Sequence, residues 1–323
     1  MRLLITGAAG FMGRNALLAV PYSWQVVALY RPGNTDFLDF VEGHQLHHVQ
    51  PVACDLTDVC HVEQAVDQVG KSFDSCLALA SNTSIPLSIE QPVKDLTTNT
   101  IGLIHLLQCC SFDHFVYLSS GSVYFGLTGL VGPTSAVSPD IPYAISKLAA
   151  EQYIRAFKRC HRGFRQATII RFFGAYGPYE PPRKFYTKLV RRFAFERNPH
   201  FTVIGDGENY IDAMYIDDAI RALLAVLTLP PEEDLRCIDL GVGSWETVNQ
   251  AVTRVAHTFG LEPRISHEGT IAEYLCCAID PRPFAQAYHF TPSISLEEGI
   301  KRLASHLEIE EKIVIGRKPG RYE

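Results

Sequence analysis

The chain has 323 residues, 47% of them hydrophobic, and a net charge of −6. These values are typical of a globular protein with a sizeable core, and the lack of a basic stripe excludes a nucleic-acid-binding protein. No apolar run is long enough to span a membrane, and Met1 leads directly into an apolar strand, so we expect a cytoplasmic protein without a signal peptide. The nine cysteines include no C-x-x-C pair and are expected to be reduced thiols. The histidines lack ligand spacing, so no metal site is expected.

Leu3–Thr6 is predicted to be a strand that runs into a glycine-rich turn. Gly7 permits a tight turn, Gly10 lets the backbone approach a pyrophosphate, and Gly13 lets the following helix pack closely on the strand. The free N–H groups at the start of that helix then point at the phosphates. The pattern predicts a dinucleotide site. The alternative is an ordinary strand-to-helix turn that is rich in glycine.

Strands and helices alternate along the first half of the chain. The predicted strands are Leu3–Thr6, Gln25–Tyr30, His48–Ala53, Ser75–Ala80, Phe115–Ser119 and Ala167–Phe172. The predicted helices include Phe11–Val20, Val59–Val69, Asp95–Cys110 and Tyr143–Arg159. This alternation predicts an α/β fold, with a parallel sheet covered by helices on both faces. A proline-rich break over Gly177–Pro182 indicates a smaller region beyond it.

Tyr143 and Lys147 are spaced to lie on one face of a predicted helix. An ammonium group close to a phenol favours the phenolate and lowers the pKa of the tyrosine, which makes Tyr143 a candidate acid/base at neutral pH. The predicted strand upstream ends in Ser119 and Ser120, which can set a hydroxyl beside the phenol. The alternative is a solvated helix face, because this spacing is common by chance.

Several further motifs occur in an order that resembles the extended short-chain dehydrogenase/reductase family, the NAD(P)-dependent epimerases and dehydratases that act on nucleotide sugars. The motifs are Thr6–Gly13, Asp55-Leu56, Leu79-Ala80, Asn99 with Gly102, Ser119-Ser120, Tyr143 with Lys147, Arg171–Pro178, Gly205-Asp206-Gly207, Asp280-Pro281 and Leu296–Gly299. The resemblance implies a doubly wound Rossmann sheet with a smaller, mixed C-terminal substrate-binding region. It places the dinucleotide-binding domain at 1–177 plus about 211–241, and the substrate-binding region at 178–210 and 242–323.

The same resemblance implies the site residues. The catalytic residues would be Ser120, Tyr143 and Lys147. The cofactor would be held by Gly7, Ala9, Gly10, Phe11, Met12, Gly13, Tyr30, Arg31, Asp55, Leu56, Leu79, Ala80, Asn99, Tyr143 and Lys147. The substrate would be held by Ser120, Ser122, Tyr143 and Gly174.

The end of the second predicted strand bears on the choice of cofactor. Relatives that use NAD tend to carry an acidic residue there, whereas this chain has Tyr30 and Arg31, and Asp36 comes too late. An arginine can pair with the 2′-phosphate of NADP, and Arg14 could assist it. We therefore expect NADP or NAD, with NADP(H) favoured. The alternative is that Arg31 merely faces solvent.

The residues after Ser120 bear on the reaction. Family 4,6-dehydratases carry an acidic pair where this chain has Gly121 and Ser122, so elimination of water is disfavoured. The expected chemistry is hydride and proton transfer at a sugar C4 carbinol or ketone, as in a 4-epimerase or a 4-ketoreductase. Tyr143 would be the acid/base in either case.

Two departures concern the substrate. Gly174 stands where relatives commonly have an asparagine, and Ile211 stands where they have an arginine that clamps the diphosphate. The missing charge could come from Arg183, Lys184, Lys188, Arg191 and Arg192, unless these form a solvated helix face. The expected partner is a small-molecule substrate, a nucleotide sugar. The alternative is an NADPH-dependent carbonyl reductase or alcohol dehydrogenase acting on a smaller, non-nucleotide substrate.

Two other expectations concern partners and activity. Relatives often dimerise through the helices that correspond to Asp95–Cys110 and Tyr143–Arg159, so a homodimer is expected. A binding or scaffold protein that keeps the fold without turnover is the remaining alternative, and the intact set of Ser120, Tyr143 and Lys147 argues against it.

Overall fold

A parallel sheet of seven strands lies at the centre of the computed structural model, which describes residues 1–160, 163–271 and 274–316. The described strands are β1 (Arg2–Thr6), β2 (Gln25–Tyr30), β3 (Val49–Ala53), β4 (Ser72–Ala78), β5 (Ser111–Ser120), β6 (Thr128–Val131), β7 (Phe164–Phe172), β8 (Ala175–Tyr176), β9 (His200–Ile204), β10 (Met214–Tyr215), β11 (Leu235–Leu240), β12 (Arg264–Glu268) and β13 (Cys276–Ile279). The order in the main sheet is β11-β7-β5-β4-β1-β2-β3.

Helices cover both faces of this sheet. They are α1 (Phe11–Ala19), α2 (Thr35–Gly43), α3 (Val59–Val69), α4 (Ile85–Glu90), α5 (Pro92–Leu96), α6 (Gly102–Cys109), α7 (Pro142–Arg159), α8 (Phe185–Val190), α9 (Ile216–Thr228), α10 (Val248–Thr258), α11 (Arg282–Tyr288) and α12 (Leu296–Gly316). Leu3 and Ile5 of β1 pack in one hydrophobic cluster with α1 and α9, and Leu4 packs in another with α3, α6 and α7. Successive strand residues point to opposite faces, so β1 is buried on both sides. The predicted doubly wound α/β fold is confirmed.

Most predicted elements are present, and two differ in an instructive way. The predicted strand Ser75–Ala80 ends two residues early, because the N–H groups of Leu79 and Ala80 donate to the Thr6 hydroxyl, each at 3.1 Å. The predicted helix Asp95–Cys110 is divided by a π-helical turn at Thr97–Ile101, which joins α5 to α6. Such turns inside helices are frequent at functional sites.

The smaller sheets lie outside the main one. Three parallel pairs, β8 with β10, β9 with β12, and β6 with β13, connect segments that are distant in the chain. β11 returns to the main sheet and pairs with β7. The division into two regions stays a prediction, and its end at 323 lies outside the described residues. Within those residues, no helix is both long and apolar enough to cross a membrane.

A buried histidine between β5 and β7 predicts how stability depends on pH. His114 Nε2 lies 2.9 Å from the Thr168 hydroxyl, and burial lowers the pKa of His114 to about 4 from 6.5. The unfolded chain binds a proton at this site between these two values and the folded chain does not. The contribution of neutral, buried His114 to the free energy of unfolding is therefore complete above pH 6.5. Roughly 3 kcal/mol of it is lost as the pH falls towards 4.

The variant His114→Gln keeps a hydrogen-bonding group for Thr168 but cannot titrate, so the pH dependence of its unfolding free energy should be flatter between pH 6.5 and 4. Urea unfolding at a series of pH values measures this. A slope equal to that of the unmodified chain would contradict it.

Candidate active site

A cavity of about 750 Å³ opens at the carboxyl ends of the main-sheet strands, the place where open α/β sheets bind ligands. It is lined by the residues that follow β1, β2, β3, β4, β5 and β7. All the predicted site residues except Asn99 line it. The structure therefore brings the glycine turn and the Tyr143 helix to one cavity, as the motifs predict.

The glycine-rich turn fits a dinucleotide phosphate. The N–H of Gly10 donates to the carbonyl of Gly7 at 3.0 Å, and α1 begins directly afterwards at Phe11. The first N–H groups of a helix have no intrahelical partner, and here the residues that carry them line the cavity. A Cβ on Gly13 would lie 2.5 Å from the Gly7 carbonyl oxygen and 2.6 Å from the Ala8 Cα. The close contact of helix and turn therefore requires glycine at position 13.

Replacing Gly13 by alanine is expected to push α1 away from the turn and to weaken dinucleotide binding at least 10-fold, because backbone atoms surround the added methyl group. Isothermal titration with NAD and NADP measures the change. Gly43→Ala is the matched control, since a Cβ at Gly43 meets nothing within 4 Å. Equal affinities in the two variants would contradict the assignment of the turn.

Charged groups lie at the β2–β3 edge of the cavity. Asp55 Oδ1 accepts from the N–H of Thr57 at 3.0 Å and from its hydroxyl at 2.8 Å. Burial alone would raise the pKa of Asp55, but these two bonds and the nearby charge of Arg31 lower it. Arg31 is exposed and lines the cavity. Arg14 does not line it and instead forms an ion pair with Asp36.

Tyr143 and Lys147 lie in the first turns of α7. Tyr143 is 9% exposed, and its backbone N–H donates to the Ser88 hydroxyl at 3.2 Å. Lys147 is 2% exposed, and its ammonium donates to the carbonyl of Leu118 on β5 at 2.6 Å. Burial lowers the pKa of Lys147 to about 7, although the charges of Glu151 and Asp95 act to raise it. The helix and the strand thus hold Lys147 in one position at the cavity wall.

Ser120 is the last residue of β5 and lines the same cavity as Tyr143. Its hydroxyl oxygen accepts from the N–H of Ser122 at 3.1 Å, which fixes the side chain at the start of a short 3₁₀ turn. The oxygen is then oriented while its own hydrogen is free to donate. Ser120, Tyr143 and Lys147 therefore all line one cavity.

Asn99 lies behind the cavity wall, where it is 2% exposed. Its amide nitrogen donates to Asp95 and to the Ser146 hydroxyl, each at 3.0 Å, and its amide oxygen accepts from the Asn82 N–H at 2.7 Å. Ser146 also donates to Asp95 at 2.6 Å. The structure thus places Asn99 in a network that supports α7 from behind. Asn99 was predicted to hold the cofactor, but it does not line the cavity.

A buried ion pair supports the other side of α7. Arg171 on β7 donates to both carboxylate oxygens of Glu151, with the shortest distance 2.8 Å, and the Ser119 hydroxyl donates to Glu151 at 2.6 Å. Arg171 also donates to the hydroxyl of Tyr124 at 3.0 Å, and that hydroxyl donates to Asp239 at 2.7 Å. The network joins α7 to the ends of β5, β7 and β11.

The part of the cavity around Gly174 and Ile211 carries little positive charge. Gly174 and Ile211 line it, and the carboxylate of Asp212 accepts backbone N–H groups from residues 242–244 at 2.7 to 3.2 Å. Of the five basic residues considered as phosphate partners, Lys184 lines the cavity. Burial raises the pKa of Glu180, on the same wall, to about 7. Asp212, next to Ile211, thus holds the backbone at residues 242–244.

Several lining residues were not predicted. They include Ile85, Phe173, Glu180 and Leu275. Phe173 directly follows β7, so its position next to the site was accessible from the strand prediction. Leu275 reaches the cavity from a segment more than 100 residues beyond Ser120, and no local pattern marks it.

Comparison with known proteins identifies a family and several relatives of this chain. Residues 3–237 match the NAD dependent epimerase/dehydratase family. A dTDP-glucose 4,6-dehydratase of Xanthomonas campestris is 30% identical over 242 residues, which cover 69% of this chain and 67% of that protein.

Two solved structures share the fold. MoeE5 in complex with UDP-glucuronic acid and NAD has a TM-score of 0.79 at 25% identity, covering 96% of this chain and 100% of that one. UDP-glucose 4-epimerase of Thermotoga maritima with UDP-glucose has a TM-score of 0.83 at 23% identity and the same coverage. The family match spans most of the chain and includes the glycine turn, Tyr143 and Lys147. The chain therefore belongs to the NAD-dependent epimerase/dehydratase family, within the extended short-chain dehydrogenases/reductases.

Proposed function

We propose that this protein catalyses hydride and proton transfer at the C4 carbinol or ketone of a nucleotide-activated sugar, with Tyr143 as the acid/base. The observation that carries the proposal is that Ser120, Tyr143 and Lys147 line the same cavity as the glycine turn. The structure of MoeE5 with UDP-glucuronic acid and NAD supports a sugar nucleotide as the substrate.

Ser120, Tyr143 and Lys147 have different roles in the proposed reaction. When bound, a nicotinamide dinucleotide supplies the acceptor and donor of the hydride. Ser120 donates a hydrogen bond to the C4 oxygen and orients it, and Tyr143 takes the hydroxyl proton as the carbinol becomes a ketone and returns it in the reverse step. In its protonated form, Lys147, held by the Leu118 carbonyl, favours the phenolate of Tyr143.

Product analysis tests the reaction. The purified chain is incubated with NAD and UDP-glucose or UDP-glucuronic acid, and the sugars are resolved by NMR. Appearance of the C4 epimer without net change of NADH supports an epimerase. In a separate incubation with NADPH and a 4-keto sugar nucleotide, stoichiometric consumption of NADPH supports a 4-ketoreductase. A 4-keto-6-deoxy sugar formed from a 6-hydroxylated substrate would overturn the proposal in favour of dehydration.

We propose that Arg31 decides the choice between NADP and NAD, with NADP(H) favoured. Its guanidinium lies exposed at the β2 edge of the cavity and is available to a 2′-phosphate. Arg14 is engaged by Asp36 and is not counted as a second phosphate partner. Analysis of the dinucleotide released on denaturing the fresh protein tests this: bound NAD, or tighter binding of NADH than of NADPH, would overturn the preference.

A second candidate function is an NADPH-dependent carbonyl reductase or alcohol dehydrogenase with a smaller substrate. A diphosphate is usually held by charge-assisted bonds, and Ile211 at the cavity wall cannot form one. Of the five basic residues considered as replacements, Lys184 alone lines the cavity, and this scarcity of charge favours the smaller substrate. The melting temperature with UDP, GDP, CDP or dTDP separates the two. An increase with one of them supports the nucleotide sugar, and no increase with any supports the smaller substrate.

We also propose a homodimer formed by α4, α5 and α7. These helices expose a group of apolar side chains, Ile89, Val93, Leu96, Ile145 and Tyr153. Val93 is 77% exposed, which is unusual for valine without a partner surface. Sedimentation should give twice the mass of 36.0 kDa, and Val93→Glu should shift it to the monomer, whereas Leu229→Glu, at the residue after α9, should not. A monomeric unmodified chain would refute the dimer.

A further inference from the structure

Four apolar side chains line the cavity that Ser120 and Tyr143 also line. We call Ile85, Phe125, Phe173 and Leu275 the apolar wall, and each of them lines the cavity. Ile85 and Phe125 belong to the hydrophobic cluster that contains Tyr143, and Leu275 packs against it. Leu275 and Phe173 both pack against a second cluster, beneath the turn that follows Ser120. Leu275 therefore links the two clusters, and one of them includes Tyr143.

The position of Phe173 in this wall is fixed by close packing. Ser120 pairs with Phe172 across the sheet, so Phe173 comes directly beside the turn that follows Ser120. A Cβ on Gly121 would lie 2.9 to 3.0 Å from the Phe173 ring, which leaves no room for a side chain at 121. The ring also stacks on Tyr124, with 6.0 Å between centroids. Phe173 thus occupies the space that a side chain at position 121 would need.

The cationic side chains that line the cavity are not part of the apolar wall, and one of them already donates a hydrogen bond to the backbone. Among the described residues, those that line it are Arg31, Lys147 and Lys184. Arg31 follows β2, next to the edge strand β3, and Lys184 precedes α8 next to Glu180. Lys147 donates to the Leu118 carbonyl at 2.6 Å. The apolar wall itself offers no group that could pair with a carboxylate.

We propose that the apolar wall selects a sugar whose C5, next to the reacting C4, carries hydrogen or methyl, and rejects one that carries a carboxylate. The proposal rests on the proposed C4 chemistry. A methyl group buried against four apolar side chains gains contact and loses water, whereas a carboxylate there would lose water without a cation to pair with it. The substrate class is therefore a nucleotide-linked 6-deoxyhexose or pentose, with uronic acids excluded.

The test compares four UDP-linked sugars that differ at this position: 6-deoxyglucose, xylose, glucose and glucuronic acid. The expected kcat/KM for UDP-6-deoxyglucose is about 10-fold above that for UDP-glucose and at least about 100-fold above that for UDP-glucuronic acid. Equal or higher kcat/KM for UDP-glucuronic acid would overturn the proposal.

Variants of Phe173 show whether the wall is the cause. Phe173→Arg places a cation in the wall, and it should raise the ratio of kcat/KM for UDP-glucuronic acid over UDP-6-deoxyglucose at least 10-fold. Phe173→Leu keeps the wall apolar and should preserve the order of the sugars even if the arginine variant does not fold. Phe195→Leu, outside the cavity, is the matched control for loss of an aromatic ring. An order of the sugars reversed by Phe173→Leu would overturn the proposal.

Binding separates this proposal from the reaction on which it rests. The shift in melting temperature of the NAD-loaded chain ranks the same four sugars without turnover. The expected order with no product formed would refute the proposed reaction and support the wall. Product formation with a larger shift for UDP-glucuronic acid than for UDP-6-deoxyglucose would do the reverse, and no shift with any of the four sugars would count against both.

Discussion

Replacing Tyr143 by phenylalanine is expected to lower kcat about 1,000-fold while dinucleotide affinity changes less than about 3-fold, because general acid–base groups typically contribute 10²–10⁴-fold. The ring still fills its place in the apolar cluster with Ile85 and Phe125, so the fold and the turn that binds the cofactor stay intact. Turnover is measured by NMR under saturating cofactor, and affinity by titration.

The control for this variant is Tyr22→Phe, a tyrosine that is exposed and outside the cavity. It loses the same hydroxyl and should keep full activity. If Tyr143→Phe also keeps full activity, Tyr143 is not the acid/base. If it loses activity and cofactor affinity together, the loss is structural, and a role in proton transfer is not supported.

Replacing Arg171 by methionine is expected to lower the free energy of unfolding by about 3–5 kcal/mol, because it leaves the carboxylate of Glu151 buried without its cation. Glu151 is 0% exposed and would keep one hydrogen bond, from Ser119 at 2.6 Å. Urea unfolding of both chains at pH 7 measures the difference.

The double variant Arg171→Met with Glu151→Leu removes both charges, and we expect it to recover most of the lost stability. Arg302→Met is the control, since Arg302 pairs with Glu298 at 2.8 Å at the surface and its loss should cost less than about 1 kcal/mol. A cost for Arg171→Met as small as that of the control would show that water reaches Glu151.

The sequence predicted the parts of the molecule that depend on local patterns. β2 and α3 begin and end at the predicted residues, because their apolar periodicity and end signals lie within a single segment. The glycine turn and the pair Tyr143 and Lys147 were found for the same reason, since each motif owes its function to spacing within one element.

What could not be predicted depends on contacts between distant segments. β4 ends early because a hydroxyl from β1 takes the N–H groups of Leu79 and Ala80, and no pattern within β4 shows this. Asn99 lies behind the wall of the cavity because its hydrogen-bond partner Ser146 belongs to α7, 47 residues further along the chain. Which of the basic residues near α8 would face the cavity also depended on packing, and Lys184 is the one that lines it.

The carboxylate of Asp212 has a consequence for how a ligand could be enclosed. It binds three successive N–H groups directly after β11, so the wall formed by Ile211 and Asp212 is tied to the edge of the main sheet. That wall and the sheet should therefore behave as one rigid body. Closure on a ligand would then have to come from other lining segments, such as the one from Pro178 to Lys184. Protection of amide hydrogens from exchange should accordingly be higher around Val242 than in that segment.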